Sequence, residues 1–110
     1  MAWQSLDSLI TLNNLLEESK NSPKIIFKHS TRCSISAMAF NRLQESAKKI
    51  DIYIIDVINN RDISNAVEEK LSVIHQSPQL LIILGGDCKY HASHMGISPS
   101  VIDQFFSAQA

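Results

Sequence analysis

Three short apolar runs, separated by segments with helical periodicity, constrain the fold more than any other feature of this chain. The runs are KIIFK from residue 24, IDIYIIDVI from residue 50 and LLIIL from residue 80, and each is typical of a buried strand. The second is rich in β-branched residues, which favour strands. Between them, apolar residues recur every three or four positions, which predicts amphipathic helices. Strands that alternate with helices indicate a sheet covered by helices on both faces.

The complete order of predicted elements is β-α-β-α-β-α-β-β-α. A short strand precedes the first helix, which we expect Ser8 to cap, and we expect Asp62 to cap the third helix. The tripeptide GGD after residue 84 predicts a hairpin and a final antiparallel strand. Ser98 followed by Pro99 predicts the start of the last helix. This order is that of the thioredoxin-like α/β fold, with a central mixed sheet flanked by helices.

The apolar stripes of the helices predict which side chains form the core. The stripe of the second helix comprises Ile35, Met38, Ala39, Leu43 and Ala47. The stripe of the third helix comprises Ile63, Ala66, Val67, Lys70, Leu71 and Ile74. Lys70 would have to lay its stem along the core and send its amine to water.

Composition argues against several classes of function. The chain has 110 residues, a net charge of −1 and no block of like charges, so it lacks the electrostatic footprint of a nucleic-acid binder. Its start does not resemble a signal peptide, and no apolar run approaches the roughly 18 residues of a membrane span. We predict one domain over residues 1–110, without a nucleic-acid or membrane partner, in the cytoplasm, where free thiols are normal.

Cys33 is the candidate nucleophile because it follows a strand run and precedes a helical stripe. The N-terminus of a helix has free N–H groups and the positive end of the helix dipole, and both favour an anion such as a thiolate. Arg32 adds a positive charge beside it. We expect the Cys33 thiolate to react, with Thr31 and Arg32 as substrate-binding residues.

Ser36 occupies the position three residues after Cys33, where many redox proteins have a second cysteine. A C-x-x-S site cannot close an internal disulfide, and its hydroxyl can at most donate a hydrogen bond to the thiolate. Cys33 would therefore form a mixed disulfide that another thiol must resolve. This chemistry suits the removal of a small-thiol cap from a protein, with Ser36 as the second candidate catalytic residue.

The dipeptide Ser77-Pro78 lies between the third helix and the strand at residue 80. An X-Pro bond at such a junction can be cis, and in a thioredoxin-like fold this proline would lie beside the reactive cysteine. The main chain before it would then be available to pair with an extended substrate. We therefore predict that Ser77 and Pro78 bind substrate.

The other candidate groups carry weaker signals. Cys88, on the last predicted strand, is expected to be a small and inert hydrophobic residue. The histidines are scattered over loops and strand ends without the paired spacing of a zinc site, so we expect no metal: His29, His75, His91 and His94. The roles of His29, His91 and His94 remain open at this stage.

Several motifs occur together in one order along nearly the whole chain: FKHSTRCSIS, then HQSPQ, HASH, and IS before the last helix. This set resembles the YtxJ family, the monothiol bacilliredoxins. The resemblance implies a thioredoxin fold, a nucleophile at Cys33, Ser36 in the resolving position and a cis proline at Pro78. Ser34 departs from the proline that often follows the cysteine.

The same resemblance implies a role in bacillithiol redox chemistry. Bacillithiol, or an equivalent low-molecular-weight thiol, would be removed from S-thiolated cytosolic proteins. This small thiol would be a co-substrate, and no cofactor would be bound.

Three hypotheses remain open. In the first, the chain is a monothiol oxidoreductase that takes the small-thiol cap onto Cys33 and passes it to a free thiol. The second uses Cys88 as a distant resolving cysteine, which requires the two Cα atoms to lie within about 7 Å. The third is a non-catalytic redox-sensing or adaptor module, in which Cys33 is reversibly capped and the segment at Pro78 binds a partner.

Overall fold

A five-stranded mixed sheet forms the centre of the structure, a computed structural model that describes residues 2–44 and 51–109. Its strands are β1 (Ala2–Ser5), β2 (Lys24–His29), β3 (Asp51–Asp56), β4 (Gln79–Leu84) and β5 (Asp87–Ser93). They lie in the order β1-β3-β2-β4-β5. The pairs β1–β3 and β3–β2 are parallel, whereas β2–β4 and β4–β5 are antiparallel. The predicted mixed sheet with a final antiparallel hairpin is confirmed.

Four helices cover this sheet, in the predicted order. They are α1 (Leu9–Glu18), α2 (Ser34–Gln44), α3 (Arg61–Leu71) and α4 (Pro99–Gln109), with a 3-10 turn at His94–Gly96. Successive side chains of β2 alternate between the faces, so Ile26 packs with α1 and α3 while Ile25 and Phe27 pack with α2 and α4. None of the described helices is long and apolar enough to cross a membrane.

Local signals at the ends of elements were mostly correct. Thr11 N–H donates to Ser8 Oγ at 3.1 Å, which confirms the predicted cap of α1. Gly85 and Gly86 have φ values of 65° and 81°, as the two-residue hairpin turn between β4 and β5 requires. The prediction for Asp62 is wrong, because α3 begins at Arg61 and Asp62 lies within its first turn.

The predicted stripe of α2 is confirmed at Ala39 and Leu43 and wrong at Ile35 and Met38. The buried residues are Ser36, Ala39 and Leu43, whereas Ile35 and Met38 are 43% and 51% exposed. A polar residue thus occupies the inward-facing position nearest the start of the helix, and the apolar residues beside it face solvent. The last residue of the predicted stripe, Ala47, lies outside the described residues.

The predicted stripe of α3 is correct for most positions within the helix, but not for Lys70 or for Ile74 beyond its end. Ile63, Val67 and Leu71 are buried, together with Ser64, which periodicity had not indicated. Lys70 is exposed, and Ile74 is 77% exposed because α3 ends at Leu71. The apolar spacing in the sequence therefore continues to Ile74, three residues beyond the end of α3 at Leu71.

A buried polar cluster joins β2 to α3 and to the loop before β4. Lys28 is fully buried, and its Nζ donates to the carbonyl of Ser64 at 3.1 Å and lies 3.2 Å from His75 Nδ1. Ser64 Oγ is also 3.2 Å from His75 Nδ1, and the His75 N–H donates to Glu68 at 3.1 Å. Burial lowers the pKa of Lys28 to about 8; Glu68 opposes this shift and Arg61 adds to it. Burial, with Lys28 and Arg61 nearby, also lowers the pKa of His75.

The lowered pKa of the Lys28 amine predicts how the free energy of unfolding changes with pH. The folded chain releases this proton near pH 8 and the unfolded chain near 10.5, so between these values the unfolded chain binds more protons. The contribution of Lys28 to the free energy of unfolding therefore increases as pH rises from about 8 to 10.5, which stabilises the folded chain. We expect the wild type to gain stability over this range relative to Lys28→Met, measured by urea unfolding. Exposed Lys89→Met is the control, and parallel pH profiles for wild type and Lys28→Met would contradict the prediction.

Candidate active site

Cys33 lies directly before the first residue of α2, four residues after the end of β2. A tight turn holds it there, because the Cys33 N–H donates to the Ser30 carbonyl at 3.2 Å. Its own carbonyl accepts the Ala37 N–H at 3.0 Å, the first hydrogen bond of the helix. The thiol is free and partly exposed. The fold thus places Cys33 at the N-terminus of α2, beside N–H groups that have no partner within the helix.

Ser36 faces the interior instead of the thiol. Its side chain is fully buried, its Oγ accepts the Ser30 N–H at 3.0 Å, and the same Oγ lies 2.6 Å from His29 Nδ1. No hydrogen bond joins Ser36 to the Cys33 sulfur among the described residues. The hydroxyl therefore ties the segment that carries Cys33 to the end of β2, a role that the C-x-x-S spacing alone does not reveal.

His29 belongs to an aromatic cluster beneath α2. Its ring stacks on Phe27 and Phe40 with centroid distances of 5.5 and 5.3 Å, and Trp3 packs on Phe40 at 4.5 Å. Burial lowers the pKa of His29, and the nearby Asp56 carboxylate opposes this shift. Sequence reasoning left the role of His29 open. The period of two along β2, which puts residues 27 and 29 on the same face, was the signal that could have placed it.

A cavity of about 210 Å³ opens at the same edge of the sheet, where β1, β2 and β3 end. Its lining includes His29, Thr31 and Asp56. Burial acts to raise the pKa of Asp56, but hydrogen bonds from the Asn59 and Ile58 N–H groups and from the Asn59 side chain outweigh it and lower this pKa. The carboxylate therefore shapes the turn that leads into α3.

Strand register brings Pro78 to this edge as well. Lys28 pairs with Gln79 across β2 and β4, so the residues next to them, His29 and Pro78, lie at the same end of the two strands. The Ser77–Pro78 bond is cis, as predicted. The His94 N–H donates to the Pro78 carbonyl at 3.1 Å. Among the described residues, Ser77 Oγ is buried without a hydrogen-bond partner.

Arg42 connects α2 to the 3-10 turn that follows β5. Its guanidinium donates to the carbonyls of His94 and Ile97 at 3.0 and 3.1 Å. This link, which the sequence did not indicate, positions the exposed Met95 beside the Cys33 helix. Arg32 and Thr31 are both exposed, next to Cys33.

Cys88 lies at the opposite end of the sheet. It pairs with Ile83, which in turn pairs with Lys24 at the start of β2. The length of β2 between Lys24 and His29 corresponds to about 16 Å, well beyond the roughly 7 Å that a disulfide allows between Cα atoms. Burial raises the pKa of the Cys88 thiol. The structure therefore does not bring Cys88 to Cys33, which removes the basis for Cys88 as a resolving cysteine.

The histidines do not form a common site. His75 belongs to the Lys28 cluster, His91 lies on β5 and His94 begins the 3-10 turn. Within residues 2–44 and 51–109, no three His, Cys, Asp or Glu side chains are placed to hold a metal ion together.

Both the sequence and the fold of this chain are similar to those of known proteins. The sequence model of the family described as monothiol bacilliredoxin BrxC matches residues 4–102. A solved structure, described as a proposed oxidoreductase with a thioredoxin fold, is similar with a TM-score of 0.85 and 28% identity, over 94% of this chain and 92% of that chain.

Two thioredoxins show the fold alone. That of Trypanosoma brucei brucei has a TM-score of 0.74 at 15% identity, over 98% of this chain and 90% of its own. That of Fasciola hepatica has a TM-score of 0.71 at 16% identity, over 97% and 99%. The thioredoxin-like fold and the family resemblance are confirmed.

The two hydrogen bonds of the Ser36 hydroxyl predict that its removal destabilises the fold. Substitution Ser36→Ala would leave the part-buried Ser30 N–H and His29 Nδ1 without their shared partner, and a polar group that loses its partner away from solvent costs about 1–3 kcal/mol. We expect Ser36→Ala to lower the free energy of unfolding in urea by that amount. Exposed Ser34→Ala, at the first residue of α2, is the matched control and should change it little. Equal stability of the two variants would show that the Ser36 hydroxyl does not hold this segment.

Proposed function

Because this chain belongs to the monothiol bacilliredoxin family, we propose that it removes a low-molecular-weight thiol, bacillithiol or its equivalent, from S-thiolated cytosolic proteins. One observation carries the proposal. Cys33 is partly exposed at the N-terminus of α2, and the chain's other cysteine lies at the far end of the sheet. A thiol in this position can exchange disulfides but has no partner within the chain with which to close one.

The reaction consists of two thiol–disulfide exchanges. The Cys33 thiolate attacks the small-thiol sulfur of the mixed disulfide on the substrate protein. A new disulfide forms between Cys33 and the small thiol, and the protein cysteine leaves as a thiolate, which takes up a proton. The thiolate of a second small-thiol molecule then attacks the capped Cys33, releasing the symmetric small-thiol disulfide and restoring the Cys33 thiolate. The net reaction consumes one free thiol for each protein cysteine restored.

The residue before Pro78 supports docking of a protein segment. Its main-chain groups make no hydrogen bond to the described residues, and its Oγ is buried without a partner there. Free main-chain groups at the end of a strand are suited to pairing with an extended chain. Ser77 and Pro78 would thus align the thiolated segment of the substrate with Cys33.

Side chains around Cys33 supply further contacts for a protein. Ile35 and Met38 expose apolar surface on α2, and Met95 is 74% exposed on the adjacent 3-10 turn. Arg32 and Thr31 place a cation and a hydroxyl next to the thiol, where a polar or anionic part of the capped segment would bind. This combination favours a protein bearing the small thiol over the small disulfide alone.

The test is de-thiolation of a model protein that carries bacillithiol on one cysteine, with free bacillithiol in excess. We expect repeated turnover by the wild type and no rate above the reaction without enzyme for Cys33→Ser, because serine supplies no thiolate. Cys88→Ser is the matched control and should retain the wild-type rate.

Intact mass and peptide mapping identify the intermediate. Limiting free thiol should trap one bacillithiol adduct on Cys33 and none on Cys88. Activity that survives in Cys33→Ser would overturn the proposal. Stoichiometric capping of Cys33 without turnover would instead favour the redox-sensing or adaptor role.

A further inference from the structure

The short contact between His29 and Ser36 leads to one further inference. Ser36 has one hydroxyl proton to donate, and its oxygen already accepts the Ser30 N–H at 3.0 Å. The second contact, at 2.6 Å from His29 Nδ1, has two possible directions. Either the hydroxyl donates to an unprotonated Nδ1, or a protonated Nδ1 donates to the oxygen.

Counting donors and acceptors selects the first direction. If Nδ1 carried the proton, the Ser36 O–H would need another acceptor, and it has none among the described residues. Ser36 is fully buried, so its hydroxyl does not face the bulk solvent. A buried donor without a partner is costly, whereas donation to Nδ1 gives the Ser36 hydroxyl an acceptor and keeps the Ser30 N–H bonded to Ser36 Oγ.

We propose that His29 is a positioning residue for Cys33, which acts by accepting the hydroxyl proton of Ser36 at Nδ1. With its proton directed to His29, Ser36 presents its oxygen to the Ser30 N–H. Ser30 in turn accepts the Cys33 N–H through its carbonyl at 3.2 Å. Three consecutive hydrogen bonds therefore connect the ring at the end of β2 to the residue that carries the thiol.

The consequence for chemistry concerns where the sulfur is held. The helix N–H groups stabilise a thiolate only within the first turn, so a segment that moves away from α2 loses this stabilisation. The aromatic contacts of His29 with Phe27 and Phe40 fix the plane of the ring and thus the direction of Nδ1. His29 itself touches no reacting atom in this scheme.

The charged groups that face His29 come from the neighbouring strands and loops. Asp56, at the end of β3, and Asp7, before α1, line the same cavity as the ring, while α2 presents the uncharged Ser36 and Phe40. Burial lowers the pKa of His29 despite Asp56, so the ring is neutral at pH 7. A neutral ring protonated at Nε2 is the form that the hydrogen-bond count requires.

NMR tests this form directly in the wild-type chain. Long-range ¹H–¹⁵N spectra at pH 7 distinguish the two ring nitrogens, and we expect a protonated Nε2 and an unprotonated Nδ1 for His29. A protonated Nδ1 at pH 7 would overturn the proposal without any need for a variant.

The second test follows the exchange of Cys33 with the synthetic disulfide DTNB, in a Cys88→Ser background that leaves one thiol. Attack by the Cys33 thiolate forms a mixed disulfide and releases the coloured thiolate. His29→Phe keeps the aromatic ring and removes the acceptor, and we expect its rate at pH 7 to fall about tenfold, the equivalent of one buried hydrogen bond. His29→Asn, whose amide oxygen lies near the Nδ1 position, should restore most of the rate.

Epistasis separates positioning from a direct role. In a Ser36→Ala background, His29→Phe should lower the rate no further, because its effect passes through Ser36. A full additional loss there, or an unchanged rate in His29→Phe alone, would contradict the proposal. The inference rests on the proposed thiol exchange at Cys33. Since DTNB needs no thiolated protein, failure of de-thiolation and failure of the His29 mechanism remain distinguishable.

Discussion

The mixed pairing of the central strand β2 determines where every group of the candidate site lies. Its parallel partner β3 ends at Asp56, level with His29, and its antiparallel partner β4 begins at Gln79, opposite Lys28. The end of β2 and the beginning of β4 therefore lie at the same edge of the sheet, which brings the start of α2 next to Pro78. If β4 ran parallel to β2, its first residue would lie at the other end of the sheet and Pro78 would be far from the start of α2. The position of Cys33 thus follows from backbone hydrogen bonding before any side chain contributes.

The last two residues of β2 place polar groups on both faces of the sheet. Lys28 points towards α3 and reaches the loop before β4 through His75, while His29 points towards α2 and reaches the loop before Cys33 through Ser36. Each of these groups is buried or partly buried, and each is satisfied by hydrogen bonds to the segments that leave the sheet. The polar end of one strand therefore orders two loops that apolar packing alone would leave loosely held.

Prediction from sequence succeeded where a local pattern had one physical meaning. The short apolar runs form strands, Gly85 and Gly86 form the hairpin turn, and the last helix begins at Pro99, as predicted. The placement of Cys33 before a helix followed from the change of period between KIIFK and the next stripe. These features depend on interactions between residues close in sequence, so they can be predicted from a single sequence.

The errors and omissions have a common cause in tertiary structure. The buried face of α2 depends on the angle at which the helix meets the sheet, so Ser36 is inside and Met38 outside against the apolar pattern. The orientation of the Ser36 hydroxyl depends on His29, and the link from Arg42 to residues 94 and 97 spans more than fifty positions. Pairing between distant residues and the phase of a helix cannot be read from the spacing around a motif.

The placement of the two cysteines at opposite ends of the sheet has a kinetic consequence for the proposed reaction. A dithiol protein releases its substrate in an internal step, whose rate is a property of the fold and is independent of concentration. Here the capped form of Cys33 waits for a molecule from solution, so regeneration is second order. Its lifetime is inversely proportional to the supply of free thiol. In a cell whose thiol pool is depleted, the protein would accumulate in the capped form, and its activity would follow the recovery of that pool.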